Sequence, residues 1–292
     1  MIVAQLLLDP SRGASLLFDM AARQFLLVSD FDQTLSFNDS GIVLSEMLGI
    51  PGFEARVAGL SSLNLVQAGA ELAYLMRHDP EFRRVRRTDL VAVGRRVRLK
   101  RNIRSLVQLL RNGIEGCTFE FYVVSAAPED VVLAALEGLL PESHILGTRF
   151  RWDDLMGEID SIVQVRAGYG KIAALEELRA RLGVPGERTV YVGDGASDIH
   201  AMLHVNRING LTIAVSQAQH IAQVARRTVL SDDALSVAIP ILEEIAHYGP
   251  AEVRELFDRN GFVIHEWDKV RTDWLTIRDA TGDSGAIVPA YT

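Results

Sequence analysis

Asp30 and Asp32 stand two residues apart in Asp30-Phe31-Asp32-Gln33-Thr34-Leu35, directly after the apolar run Phe25-Leu26-Leu27-Val28-Ser29. On an extended strand, residues i and i+2 share a face, so both carboxylates can point into one site where the strand ends. Like charges that close resist joint ionisation, which suits either a bound cation or a raised pKa on one of them. A nucleophile, a metal ligand and a general acid/base are the chemistry this pair offers. The plain alternative is a capping pair, since Asp and Thr commonly open helices. Three further stretches carry groups of the same kind: Ser125 after an apolar run, Lys171 at the start of a helical pattern, and Gly193-Asp194-Gly195-Ala196-Ser197-Asp198 after another apolar run.

The elements that must position these groups follow from periodicity. Residues 25–29 read as a strand buried on both faces of a parallel sheet. A helix is expected over 14–22 before it. From 41 to 112 only helical segments are expected, at 42–48, 63–77, 90–97 and 103–110, broken at Pro51-Gly52 and Asp79-Pro80. Strands and helices then alternate. The expected order is a strand over 118–124, a helix over 129–140, extended pieces at 145–152 and 158–165, and a helix over 171–182. A strand over 189–192, a helix over 196–203, strands at 211–215 and 228–230 and a helix over 232–246 complete it. This order predicts an α/β fold, a doubly wound Rossmann-like parallel sheet with an inserted all-helical cap. Residues 1–37 and 113–246 form the expected core, 38–112 the cap, and 247–292 a C-terminal extension with a helix at 250–259. Asp30, Asp32, Ser125 and Asp194 all fall at strand ends, where ligands of such sheets bind.

Composition narrows the class. The 292 residues carry a net charge of −8, which argues against a general nucleic-acid binder. The single cysteine, Cys117, excludes an intrachain disulfide and a cysteine metal cage. The apolar stretch 2–8 lacks a basic flank and breaks at Asp9-Pro10, and no run approaches the ~20 apolar residues of a membrane span. A cytoplasmic protein with no membrane partner is the expectation.

In this order, DFDQTL, Ser125 in VVSAAP, Lys171 in GYGK and GDGASD at 193–198 resemble the four motifs of the haloacid dehalogenase superfamily, specifically its phosphoserine-phosphatase-like, aspartate-nucleophile phosphatases. The resemblance covers 25–246 and implies a Mg2+-dependent phosphomonoester hydrolase acting on a small phosphorylated metabolite. Asp30 would attack phosphorus, and Asp32 would protonate the leaving oxygen and then activate water. Ser125 and Lys171 would hold phosphoryl oxygens. Mg2+ would sit on Asp30, the backbone carbonyl of Asp32, and Asp194. Thr34, Gly193, Gly195 and Asp198 would support them, the glycines by allowing a tight turn and Asp198 by orienting Lys171 or a metal-bound water. Ser197 stands where such motifs often carry Asn. The alternatives are a phosphotransferase or mutase of the same fold or, from another class, a non-catalytic binding scaffold that keeps the fold.

Each residue also has an ordinary reading. Ser125 suits a helix N-cap, and Lys171 a solvated surface lysine. A lysine in a first helical turn opposes the macrodipole, so an anion should offset it. Asp39 stands where phosphoserine phosphatases of the superfamily place a substrate-binding glutamate, with Ala126 a second expected substrate contact; an N-cap near Gly41 is the alternative for Asp39. No arginine occurs over 62–76, where such enzymes hold a substrate carboxylate. Arginines and a lysine crowd 83–104, either as a solvated face or to steer a polyanion. His200 and His204, at i and i+4, have the spacing of a shared metal site but no visible third ligand.

Overall fold

The computed structural model describes residues 23–63, 66–265 and 267. The expected helix over 14–22 lies outside them. In chain order the first elements are β1 (Arg23–Ser29), α1 (Ser40–Leu48), α2 (Phe53–Ser62), α3 (Glu71–His78), α4 (Arg87–Arg96) and α5 (Ile103–Asn112). There follow β2 (Cys117–Pro128), α6 (Glu129–Ala135), β3 (Ile145–Trp152), β4 (Ile159–Gln164), α7 (Tyr169–Leu182) and β5 (Thr189–Gly193). Then come α8 (Ile199–Arg207), β6 (Leu211–Ala214), α9 (Gln219–Ala222), β7 (Arg227–Thr228) and α10 (Ala238–Glu244). A second unit begins at Pro250 with α11 (Pro250–Arg259), which buries Val253 and Phe257.

The strands form one sheet in the order β4-β3-β2-β1-β5-β6-β7. The chain steps from β1 toward β4 on one side, then returns to β5 beside β1 and runs the other way. The crevice of such a sheet opens where that reversal occurs, beyond the carboxyl ends of β1 and β5. Leu26 and Val28 face one side of β1, in a core with Tyr122, Tyr191, Leu175 and Met202 under α7 and α8. By the strand's period of two, Phe25 and Leu27 face the other side, where Phe25 stacks on Phe119 at 5.1 Å. Both faces are covered, which is why β1 reads as an unbroken apolar run.

The sheet is mixed rather than wholly parallel. β3 and β4 pair antiparallel, Trp152 opposite Ile159, across the turn at 153–157. Asp153 closes that turn, accepting from the N–H groups of Leu155 and Met156. So short a link permits only a hairpin, since a parallel crossover needs a dozen residues or more.

Between β1 and β2 the chain is helical, with boundaries that depart from the expected ones. Helix α2 was not expected: only Phe53 is buried, so no apolar stripe marks it. The helix expected over 63–77 is shortened to α3, with residues 66–70 outside it. The helix expected over 129–140 ends at Ala135, and Leu136 leaves helical geometry. In α5 the buried residues Ile103, Leu106, Val107 and Leu110 form a stripe that packs on β2. Helix α4 lies against α6 at Gly94, where a Cβ would come within 2.3 Å of the Val131 carbonyl. The outgoing and returning chains run side by side: Lys100 N donates to Leu35 O at 2.8 Å and Phe37 N to Arg98 O at 2.9 Å. No helix among the described residues is long and apolar enough to cross a membrane.

Candidate active site

β1 ends at Ser29, so Asp30 and Asp32 lie past the strand and a loop, not strand alternation, sets their directions. Asp30 N donates to Val192 O at 2.9 Å, which ties the loop to β5. Phe31 O then accepts from the N–H groups of Thr34, Leu35 and Ser36, folding the chain back on itself with Gln33 at φ 54°. That turn brings Thr34 Oγ1 to Asp194 Oδ1 at 2.9 Å.

Asp198 is the hub of the floor. It is fully buried and accepts Lys171 Nζ at 2.6 Å and Tyr191 OH at 2.7 Å on Oδ1. Its Oδ2 accepts the backbone N–H groups of Asp194 and Gly195, each at 3.1 Å. Lys171, also fully buried, reaches on to Asp30 Oδ2 at 2.9 Å and to Ser197 Oγ at 3.3 Å. The anion expected opposite a lysine in the first turn of a helix is therefore two carboxylates. Gly193 is required because a Cβ there would lie 2.4 Å from Asp198 Cγ. Gly195 is not required as a turn glycine: its φ of −136° is open to any residue, and a Cβ would meet nothing. Its contribution is the N–H on Asp198.

Carboxylate oxygens of Asp30, Asp194 and Asp198 lie within 4.8 Å of one another. Burial and the charge of Asp198 push Asp30 up to about 6, against the pull of Lys171. Burial, Asp30 and Asp198 push Asp194 up to about 7. Burial opposes the charge of Lys171, yet Asp198 and Asp30 outweigh it and its pKa rises. Of the cations among the described residues, Lys171 alone is bonded to these carboxylates, two of them buried and Asp194 half-buried, while Lys100 is reached only by the charge of Asp194. The floor is left short of positive charge. Asp30 Oδ1 is, in addition, buried without a hydrogen-bond partner. A hard cation fits this donor set. Asp198 has both oxygens committed to donors, so Asp30 and Asp194 are the carboxylates left to bind it.

Asp32 has a different hydrogen-bond partner from Asp30, whose charge still reaches it. Its oxygens accept Ser40 N at 3.1 Å and Ser40 Oγ at 2.7 Å at the start of α1. Burial and the charge of Asp39 hold it well above the usual carboxylate value. Asp39 caps α1, its Oδ1 accepting from the N–H groups of Gly41 and Ile42. Its own pKa is raised by burial, with Glu54 and Glu71 adding to the effect. Ser125 does not cap α6. β2 continues to Pro128, which takes the N-cap position, and Ser125 Oγ accepts from Ala127 N at 3.2 Å. Ala126 O accepts the hydroxyl of Thr148 at 2.8 Å.

Residues 66–70 lie over this floor. Gln67 Nε2 donates to Ala167 O at 2.9 Å. A Cβ on Gly69, whose φ is 91°, would come within 2.8 Å of Ser197 Cβ and 3.3 Å of Ala126 Cβ. Gln67, Gly69, Ser40 and Tyr191 were not singled out by sequence. Ser40, directly after Asp39, carried the one available signal: a hydroxyl at the start of a helical pattern.

The remaining sequence candidates have separate partners. His204 Nε2 pairs with Glu176 at 2.7 Å and His200 leans on the Tyr169 ring at 4.7 Å, so the two do not share a site. Several arginines of the basic stretch tie helices to the core: Arg83 and Arg86 to Glu158, Arg87 to Asp130 and Arg101 to Asp232.

A family model described as haloacid dehalogenase-like hydrolase matches residues 27–203. Among solved structures, a substrate-bound phosphoserine phosphatase complex aligns with a TM-score of 0.58 at 20% identity, covering 76% of this chain and 99% of that one. A phospho-aspartyl intermediate analogue of phosphoserine phosphatase gives 0.58 at 21%, covering 76% and 99%. A phosphoserine phosphohydrolase-like protein from Francisella tularensis subsp. tularensis gives 0.57 at 16%, covering 74% and 99%. At these identities the likeness is one of fold. A search of curated proteins finds no match. The family model runs from β1 into α8, more than half the chain, and takes in every residue of the carboxylate–lysine floor; this chain belongs to the haloacid dehalogenase-like hydrolases.

Proposed function

We propose that this chain is a Mg2+-dependent phosphomonoesterase that hydrolyses a small phosphorylated metabolite through an aspartyl-phosphate on Asp30. The observation that carries the reading is Lys171 Nζ placed between Asp30 and Asp198, at 2.9 and 2.6 Å, with Asp30 Oδ1 buried and unpartnered. A carboxylate so held is aimed and stripped of water, as an attacking oxygen must be.

In this reading the Asp30 carboxylate attacks phosphorus as the bond to the leaving oxygen breaks. Asp32, whose raised pKa keeps a proton available, delivers that proton to the departing alkoxide. Asp32 then takes a proton from the water that attacks phosphorus, releasing phosphate and restoring the Asp30 carboxylate. Lys171 and the Ser125 hydroxyl hold phosphoryl oxygens. Thr34 fixes Asp194, and Asp198 aims Lys171. Asp30, Asp194 and the backbone carbonyl of Asp32 would hold Mg2+, which when bound offsets the negative charge brought together at the reacting centre.

Helices α1–α4 with residues 66–70 act as the cap that excludes water, while α5 belongs with the sheet it packs on. The cap side of the pocket is acidic, with Asp39 reached by the charges of Glu54 and Glu71. Arg56, the cation of α2, is committed to Asp79 and Glu81. A phosphomonoester bearing an ammonium group suits this lining, as does the likeness to enzymes named phosphoserine phosphatase. Ala126 and Asp39 would then line the substrate. We read the enzyme as cytoplasmic and without a nucleic-acid or membrane partner.

The test is release of inorganic phosphate from a panel of phosphorylated metabolites with and without Mg2+. The expected result is Mg2+-dependent turnover that Asp30→Asn abolishes. Turnover unaffected by Asp30→Asn, or none across the panel, would contradict the reading.

A further inference from the structure

Tyr191 lies at the middle of β5, fully buried, opposite Val28 on one side and Thr212 on the other. Its ring belongs to the apolar core under α7 and α8, with Leu26, Leu178 and Met202. Phenylalanine would fill that space with no polar atom to satisfy. The hydroxyl here donates to Asp198 Oδ1 at 2.7 Å. The same oxygen takes Lys171 Nζ at 2.6 Å, and that ammonium reaches Asp30 Oδ2 at 2.9 Å. A line of contacts thus runs from the interior of the sheet, through Asp198 and Lys171, to the attacking carboxylate. Two backbone N–H groups pin the other oxygen of Asp198, so the carboxylate is held at both ends.

We infer that Tyr191 is a positioning residue for phosphoryl transfer: its hydroxyl shares Asp198 Oδ1 with Lys171 and so keeps the ammonium directed at Asp30. Two donors on one oxygen divide its accepting capacity between them. Lys171 then retains more of its charge for Asp30 and for the phosphoryl group arriving there. Without the hydroxyl, Lys171 draws in toward Asp198 and the attacking carboxylate loses part of its support. This rests on the reading of Asp30 as the nucleophile.

Tyr191→Phe removes one oxygen and leaves the ring. kcat should fall about tenfold while KM stays within about twofold. Affinity for orthovanadate, a mimic of the transferring phosphoryl group, should fall with kcat, and the melting temperature should stay near that of the parent. Asp198→Ala removes the shared acceptor and so breaks the line, and adding Tyr191→Phe to it should cost nothing further. 4-Aminophenylalanine at position 191, which restores a donor at the same point, should recover most of the lost kcat. A lowered melting temperature with unchanged kcat, or losses that add to those of Asp198→Ala, would overturn the inference. Should Tyr191→Phe fail to fold, 4-aminophenylalanine and 4-fluorophenylalanine at position 191 take its place. A faster amino variant supports the role, and equal rates overturn it. A parent enzyme whose phosphate release ignores Asp30 defeats the nucleophile reading, and this inference with it. A parent that needs Asp30, beside a Tyr191→Phe variant equally fast, removes the role of Tyr191 alone.

Discussion

Asp198, at the bottom of the site, holds four donors, whereas the segment above it, residues 66–70, meets the core through the Gln67 amide on Ala167 O and the bare backbone of Gly69. Floor and roof are made by different physics. In the floor, buried charges must be paired and hydrogen-bonded or the fold pays heavily, so each group is fixed by several partners. In the roof, shape decides: Gly69 allows an approach that any side chain would block, and among the described residues the Gln67 amide supplies the polar side-chain contact of 66–70 with the core. In the proposed reading, a floor held by many bonds and a lightly bonded roof suit a pocket that closes for chemistry and opens to release product.

The floor is the place to look for the largest effect. Lys171→Met would leave Asp30 and Asp198 buried without their shared cation, a change that typically costs about 3–5 kcal/mol. Urea denaturation should show that loss most fully above about pH 6, where Asp30 is ionised, and less of it toward pH 4. Phosphate release should fall by at least about a hundredfold. A variant as stable and active as the parent would mean that the floor is not held by charge.

A second experiment weighs the floor's deficit of positive charge. Asp30 and Asp194 have pKa values raised to about 6 and about 7, so their protonated forms are the ones folding favours. Their contribution to stability is therefore complete below about pH 4, the ordinary carboxylate value, and is lost as pH rises through 6 and 7. In metal-free protein the melting temperature should fall across that window, and Mg2+ should raise it more at pH 8 than at pH 5. An equal Mg2+ effect at both pH values would contradict the assignment of Asp30 and Asp194 as ligands.

Gly69→Val tests the roof and should give the smallest change. Its φ of 91° and the 2.8 Å approach to Ser197 leave no room for a side chain with the segment seated. kcat/KM should fall about tenfold with little change in melting temperature, since the strain is relieved by lifting the segment off the floor. Unchanged kcat/KM would mean that the seated position of residues 66–70 has no part in turnover.

The same contrast explains what could be read from the sequence. Asp30, Lys171 and Asp194 were legible because each follows a strand or opens a helix whose period is plain, and the reversal at β1 and β5 brings those ends together. Tyr191 was not, because a tyrosine inside an apolar strand looks like core, and only the tertiary fold delivers Asp198 to its hydroxyl. Ser125 was placed at a strand end, yet β2 runs on to Pro128 with its pairing to β3 interrupted after Val124. The roof was least legible. Helix α2 buries only Phe53, and a helical pattern drawn from 63 to 77 ran through the segment where Gly69 makes its close approach. Periodicity reports which face is buried; it says nothing of a backbone that packs without side chains.

The central claim is that the Asp30 carboxylate becomes phosphorylated during turnover. Enzyme mixed with excess substrate and Mg2+, quenched in acid and reduced with borohydride, should yield a peptide in which Asp30 alone has become homoserine, with no such product when substrate is omitted. Reduction at another carboxylate, or none while phosphate is being released, would contradict it.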